Sequence, residues 1–456
     1  MSSLRIAFVP LVRTTFDVDF AATLIDVARE QLVHAGYDLI AIDDLVTDLP
    51  SARRVGEMIS GTDCDLVLIF QATFADATLV TTLAEAATAP IFLWAVPEPW
   101  TGERLRLNSL CGINLAGHAL TLRGIKYDYG YGTPDDETVL HKVHRLASVG
   151  ALLRRLSRAK FGVVGQHPDG MDSCHLDEVT LKEKFGVTIV PIPLEEVFNR
   201  SRSIADAQVE RIRGELDLQL DNLATLDTTA LKGTLQVYAA LQAITEEKGL
   251  DGLAVRCWPE FFTELGCAAC GAMSMLSDGF AHHRPVPCSC EADINGTLTQ
   301  FILQNLSGTP AFGTDIVGVD VDKDQIALWH CGLAPLSMAD PDEQPHATVH
   351  SNRGLPLLMD FTLKPGWVTI TRISRATGAL QLVAGEGEML KEPKPFGGTA
   401  GTLRLDLPAK RFLDVLISQG LEHHVSLTYG QHLETLALFA NWINLPFVPL
   451  QRKEVS

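Results

Sequence analysis

The sequence predicts an α/β protein: two doubly wound parallel-sheet domains followed by a C-terminal antiparallel β-barrel domain. Three observations carry that prediction. Almost wholly apolar strand-length runs alternate with amphipathic helical runs at the start of the chain. The same alternation restarts after "RRLSRA", and beyond about residue 308 it gives way to short alternating runs punctuated by glycine, proline and aspartate. Apolar strands separated by helices imply a parallel sheet covered on both faces, whereas alternating strands joined by tight turns imply antiparallel pairing, here in a small barrel. The expected domains are residues 1–157, 158–308 and 309–456.

In the first domain the expected strands are "RIAFVPL", "YDLIAID", "DLVLIFQ" and "APIFLWAVP", with a helix through "AATLIDVAREQLVHAG". The second opens with "KFGVVGQHPDGMD" and continues through "VTIVPIP", a long polar helical stretch and "GLDGLAVRCWP". No G-x-G-x-x-G follows either opening strand, so the dinucleotide fingerprint is absent and NAD is not expected. "RPVPCSCE" then reads as a strand ending at Glu291. "NGTLTQFILQNLSG" reads as a helix with Leu298, Phe301, Ile302 and Leu306 on one stripe before glycine stops it. The barrel strands are "FGTDIVGVDVD", "QIALWHCG", "GWVTITRIS" and "ALQLVAGEGEML". A last helix, "GQHLETLALFANWIN", carries Leu433, Leu436, Leu438, Phe439 and Trp442 as its apolar residues.

Composition narrows the classes of function. A chain of 456 residues that is 46% hydrophobic fills more than one core. Its formal charge of −19, with no lysine- or arginine-rich run, repels phosphate backbones and anionic lipid, so neither nucleic acid nor membrane is an expected partner. No apolar run is long enough to span a bilayer, and "MSSLRIAFVPLVRTTFD" lacks a leader pattern. Nine cysteines, an odd number, suit a reducing compartment. A soluble, cytoplasmic protein is expected.

Chemistry concentrates in "HHRPVPCSCEADINGTLT". If strand, helix and strand succeed one another here, Glu291 and Asp315 lie toward the carboxyl ends of adjacent strands, where open α/β sheets place ligands. The aspartate-rich "DVDKDQ" reads as a hairpin turn. Centred on Asp322 and Lys323, it opposes Asp315 to His330, with β-carbons about 4.5–5.5 Å apart. Carboxylate oxygen with imidazole nitrogen suits manganese, cobalt or zinc. A further imidazole is offered by His423 or His424, and strand alternation lets one of the two face a given site. Taken singly, Glu291 or Asp315 is more often a helix cap or solvated turn residue, and His330 more often a hydrogen-bonded core histidine. "CAAC" at 267–270 and "CSC" at 288–290, with Cys257 and Cys331, suggest zinc thiolates, but their apolar, helix-like setting favours buried free thiols packed as small hydrophobes. Trp258 and Glu260, ending a strand of the second domain, are candidate substrate contacts. Trp94 and Trp100 read as core.

The motifs "CEADINGTLT" with Glu291, "FGTDIVG" with Asp315, "LWHCGLAP" with His330 and "HHVSLTYGQHLETLALFANWINLPFVPL" with His424 resemble, in order and separation, those of the L-fucose and L-arabinose isomerases. The resemblance implies two α/β domains and a β-barrel. It implies that Glu291, Asp315 and His424 bind a divalent metal, Mn2+ before Co2+ or Zn2+, with His330 as the further imidazole of arabinose isomerases. In "NLAGHALTLRG", His118 is similar to a histidine lent to a neighbouring subunit's site, which implies a homo-oligomer with sites near subunit interfaces. Arg13 resembles a sugar-binding position.

Interconverting an aldose and its ketose through a cis-enediol moves one proton between C1 and C2 and another between their oxygens. Glu291 and Asp315 are the expected acid/base pair on the metal, and a small-molecule sugar the expected partner. The alternatives are a metal-dependent epimerase or lyase on the same scaffold, or a non-catalytic sugar-binding protein. Which aldose is used, neutral or anionic, is not legible in the sequence.

Overall fold

In the computed structural model, which describes residues 3–42 and 44–452, contacts divide the chain into two units, Met1–Arg155 and Leu156–Ser456. The first unit runs β1 (Arg5–Leu11), α1 (Val18–His34), β2 (Asp38–Leu39), α2 (Leu49–Ser60), β3 (Leu66–Gln71), α3 (Ala77–Ala86), β4 (Ile91–Ala95), α4 (Ser109–Leu122), β5 (Asp128–Tyr131) and α5 (Glu137–Leu156). Its strands lie parallel in the order β2-β1-β3-β4-β5. The central strands β3 and β4 are buried along their whole length, as apolar runs covered on both faces must be. Asp17, Asp48 and Asp76 start α1, α2 and α3 by accepting backbone N–H groups of Phe20, Ser51 and Thr78.

The strand expected over "YDLIAID" shrinks to Asp38 and Leu39, and its Asp43 lies outside the described residues. At the sheet edge it has one partner, β1, and short edges are how sheets limit unpaired backbone. Trp94 is fully buried, its Nε1–H donated to the Gly132 carbonyl at 3.0 Å. Trp100, by contrast, is 99% exposed, so the expectation that it is core fails. It follows Pro97 and Pro99 in a coil segment after β4, where no helix or strand turns its side chain toward a core.

The second unit begins with β6 (Lys160–Val164), α6 (Glu178–Phe185), β7 (Thr188–Ile192), α7 (Leu194–Arg202), α8 (Asp206–Leu216), α9 (Thr228–Lys248), β8 (Gly252–Val255), α10 (Glu260–Glu264), α11 (Cys270–Asp278), β9 (Cys288–Ser289) and α12 (Ile294–Ser307). These strands form a parallel sheet ordered β7-β6-β8-β9. Gly252 lets α12 approach β8: a β-carbon there would sit 2.6 Å from the Thr297 methyl.

The chain then enters β10 (Phe312–Asp320), β11 (Gln325–His330), β12 (His346–Thr348), β13 (Leu358–Thr362), β14 (Gly366–Ser374), β15 (Gln381–Met389), β16 (Thr399–Leu405), α13 (Ala409–Ser418), β17 (His424–Tyr429), α14 (Leu433–Trp442) and β18 (Phe447–Pro449). Antiparallel pairing runs β16-β11-β10-β17-β14-β15 and returns to β16, closing a barrel without free edges among those strands. α12 packs on β8 on one side and on β14 and β17 on the other, so it ties the sheet to the barrel.

Two expectations change here. β9 and β10 are not adjacent strands of one sheet: β9 pairs with β8, whereas β10 pairs with β11 and β17 in the barrel. Asp315 therefore sits within a barrel strand rather than at the end of a sheet strand. The β10–β11 hairpin starts in the expected register, Asp320 opposite Gln325 and Gly318 opposite Ala327, with Asp320 accepting the Asp322 and Lys323 N–H groups in the turn. A β-bulge between Ile316 and Gly318 then adds a residue on β10, and Asp315 faces Trp329 instead of His330.

Candidate metal centre

Glu291 occupies the turn from β9 into α12. Both Glu291 and Ala292 adopt left-handed backbone, at φ 57° and 53°, which costs non-glycine residues about 1–2 kcal/mol each. Such strain persists only where surrounding contacts fix it, and functional sites are where it gathers. The next residue, Asp293, caps α12 by accepting the Gly296 N–H at 2.9 Å. Glu291 Oε1 accepts the indole N–H of Trp258 at 3.2 Å. Its Oε2 lies 3.7 Å from Nε2 of both His423 and His424.

His424 opens β17, directly opposite Asp315 on β10. Its Nε2 is 3.3 Å from Asp315 Oδ1, a buried oxygen that makes no hydrogen bond. On the other side of the ring, Nδ1 lies 3.0 Å from Asp293 Oδ2. Asp293 is itself held by the buried Arg372, with Nη2 donating to Oδ1 at 3.0 Å and Nη1 to Oδ2. One aspartate thus caps a helix, neutralises a buried guanidinium and orients an imidazole.

Burial alone would raise the Asp293 pKa, but the Arg372 charge and the His424 hydrogen bond hold it well below the carboxylate range. For His424 burial works against charge, yet the hydrogen bond it donates to Asp293 and the Asp293 and Asp315 charges outweigh it and raise its pKa. Burial likewise pushes Glu291 up, and contacts with His423, His424 and Trp258 bring it below its ordinary value. His330 is depressed by burial despite the nearby Asp315 charge.

His330, the last residue of β11, accepts the Cys331 backbone N–H on Nδ1 at 2.9 Å. A neutral ring so engaged carries its proton on Nε2, which lies 3.0 Å from Cys290 Sγ. The Cys257 thiol, in hydrogen-bond contact with it, together with burial, pushes Cys290 far above the usual thiol pKa, so it stays protonated.

Three groups of donor atoms each lie within 4.8 Å of one another: Cys290, His330 and His424; Cys174, Glu291 and His424; Asp315, His423 and His424. These clusters are consistent with a divalent metal. The unpartnered Asp315 Oδ1 and the His424 Nε2 beside it supply the test of fit, because a buried acceptor without a donor is costly unless a cation completes it. A carboxylate behind the opposite ring nitrogen is the usual support of a metal-binding imidazole.

Glu291, Asp315, His330 and His424 line one cavity of about 530 Å³, together with Trp258 and Trp329. That volume is in the range of small-molecule sites. Glu260 does not line it: both its oxygens take the Arg256 Nε–H, at 2.8 and 3.0 Å. His118 and Arg13 belong to the first unit, His118 exposed on α4 and Arg13 exposed after β1 with its backbone N–H on Thr73 Oγ1 at 2.8 Å. The strand-alternation argument fails for His423, which precedes β17 and so approaches Glu291 as closely as His424 does.

Sequence reasoning missed Asp293 and Arg372, and read Cys290 only as a possible thiolate or a packing thiol. Asp293 carried a legible signal, since it stands before "INGTLT" as a helix cap, but a cap gives no hint of a second duty. Arg372 carried one too, a cation inside the otherwise uncharged strand "GWVTITRIS". The cysteines are free, and Cys64, Cys174, Cys257, Cys267, Cys270, Cys288 and Cys290 are buried. Cys290 and Cys331 differ from plain packing residues in touching His330.

Residues 7–157 match the family described as fucose/sulfoquinovose isomerase, N-terminal domain. The chain is 34% identical over 453 residues to the sulfoquinovose isomerase of Priestia aryabhattai, covering 98% of this chain and 99% of that protein. It is 30% identical over 451 residues to the sulfoquinovose isomerase of Alkalicoccus urumqiensis, covering 98% of this chain and all of that protein.

Proposed function

This chain belongs to the fucose and sulfoquinovose isomerase family and is an aldose–ketose sugar isomerase, and on that premise we propose that it converts sulfoquinovose to its ketose at a divalent metal held by Glu291, Asp315 and His424. The observation that carries the metal assignment is the buried Asp315 Oδ1, without a hydrogen-bond donor, 3.3 Å from the His424 Nε2. The sulfonated substrate is supported by the full-length relatives, each called a sulfoquinovose isomerase. Mn2+ suits the mixed oxygen and nitrogen donors, with Co2+ or Zn2+ as substitutes.

When bound, the ion supplies Lewis acidity at the two reacting oxygens and a template for them. The chain's own residues do the rest. Glu291, its pKa lowered, is ionised at neutral pH and ready to take the proton from C2 and return it to C1. Trp258 fixes Oε1 and leaves Oε2 toward the histidines. Asp315 carries the proton between O1 and O2. Asp293 holds the His424 ring so that Nε2 offers its lone pair to the site.

The sequence-based set of four ligands becomes three in this proposal. With its proton on Nε2, His330 is a donor to groups in the cavity rather than a ligand. The set of two carboxylates and one imidazole is preferred over Cys290, His330 and His424 because a thiol kept protonated is a poor ligand. His118, exposed on α4, is proposed to serve a neighbouring copy's site in a homo-oligomer.

Incubation with sulfoquinovose in heavy water, followed by NMR, tests the function. The predicted product is the 2-ketose with one deuterium at C1. A C2 epimer as sole product would support the epimerase instead.

A further inference from the structure

The turn His350–Gly354 lines the same cavity as the candidate catalytic carboxylates, through His350, Asn352 and Arg353. It is a built element. The His350 carbonyl accepts the N–H groups of Arg353 at 3.1 Å and Gly354 at 2.7 Å, and the His350 N–H is donated to the Leu355 carbonyl at 2.9 Å. Gly354 supplies the left-handed corner at φ 66°. The Asn352 N–H is donated to His350 Nδ1 at 3.3 Å, so the neutral ring bears its proton on Nε2. Burial, then the Arg353 charge, keeps the His350 pKa below its usual value and the ring neutral.

Arg353 lies with its guanidinium 5.7 Å from the centre of the Phe262 ring, and Phe262 meets His350 edge to face at 5.3 Å. Among the described residues it makes no ion pair, although the chain carries an excess of 19 negative charges. It is also the one arginine or lysine among the described lining residues, set in a cavity whose acidic lining residues are Glu291 and Asp315. An anionic tail is repelled by those carboxylates and finds its counter-charge at this turn. A guanidinium fork, an amide and an imidazole N–H are donors matched to a tetrahedral oxyanion group.

We propose that Arg353, supported by Asn352 and His350, binds the sulfonate of the substrate and sets the preference for an anionic aldose over its neutral counterpart. This rests on the reading of the cavity as a sulfo-sugar isomerase site.

The test compares wild type, R353Q and R353K for kcat/KM on sulfoquinovose and on glucose, which carries a hydroxyl where sulfoquinovose carries the sulfonate. Losing hydrogen bonds to a charged group is worth about 10- to 100-fold. R353Q is expected to lower the sulfoquinovose-to-glucose ratio by about that factor through KM, and R353K, which keeps the charge but not the fork, to lie between. Manganese affinity, measured by calorimetry, is expected to stay at the wild-type value. An unchanged ratio in R353Q overturns the assignment, as does an equal loss on both sugars.

Methanesulfonate binding, read from the fluorescence of Trp258 and Trp329, separates this inference from the function it rests on. If wild type turns over neither sugar, the proposed function falls. Methanesulfonate binding that R353Q abolishes then still upholds the anion site, and equal binding by both proteins sinks it.

Discussion

Asp293 Oδ2 lies 3.0 Å from His424 Nδ1, with Arg372 closing on the same carboxylate from its far side. The ring is thereby held in one orientation and one tautomer, with Nε2 toward Glu291 and Asp315. Supports of this kind are worth about 10- to 100-fold in metal affinity. D293N is expected to lower Mn2+ affinity by that factor in calorimetry. D293A is expected to do more harm to the fold, because it leaves Arg372 buried and unpaired at a cost of about 3–5 kcal/mol.

His424 and His330 are expected to separate cleanly. H424Q removes a proposed ligand and should reduce Mn2+ affinity by more than about 100-fold, beyond the range for supporting residues. H330Q should change it by less than about threefold while slowing turnover, since its Nε2 carries a proton. Equal losses in the two variants would restore His330 to the ligand set.

Trp258 is expected to act through Glu291. W258F removes a hydrogen bond to a carboxylate, worth about tenfold in kcat. That bond lowers the Glu291 pKa, so its loss should move the acid limb of kcat/KM to higher pH. A pH profile superimposable on wild type would show that Trp258 only packs.

The pH dependence of the metal-free protein follows from two opposite shifts. Asp293 is depressed, so its contribution is complete above its unfolded pKa of about 3.8 and is lost as pH falls through the lower folded value. His424 is raised, so its contribution is complete below about 6.5 and is lost as pH rises through the higher folded value. Proton and metal compete for the same nitrogen, and Mn2+ affinity should rise with pH until His424 is neutral. In D293N the midpoint of that rise should move to lower pH. Titration calorimetry between pH 5.5 and pH 8.5, roughly a unit and more on either side of the ordinary histidine value, measures both.

How much of this could be read from the chain depends on whether a residue acts through its neighbours in sequence or in space. The apolar runs "LVLIFQ" and "IFLWA" announced buried parallel strands, and "GWVTITRIS" became β14 over the same residues. Glu291 and Asp315 were legible because they interrupt such patterns. The register of Asp315 was not, because the bulge at Ile316–Gly318 has no signature beyond one glycine, and a single inserted residue changes the partner from His330 to Trp329. The triple duty of Asp293 was equally hidden: its partners Arg372 and His424 come from strands that only the closed barrel brings beside α12. The first domain, where the motifs were faintest to the eye, is the part that the family's N-terminal domain matches.

In the proposed reaction one divalent ion on Glu291, Asp315 and His424 is required for isomerisation. Stripping the protein with a chelator, confirming metal loss by elemental analysis and titrating Mn2+ back while following sulfoquinovose conversion tests it most directly. No conversion is expected in the stripped protein and full recovery at one Mn2+ per chain, with H424Q unresponsive at that ratio. Undiminished conversion by protein shown to be free of metal would contradict it.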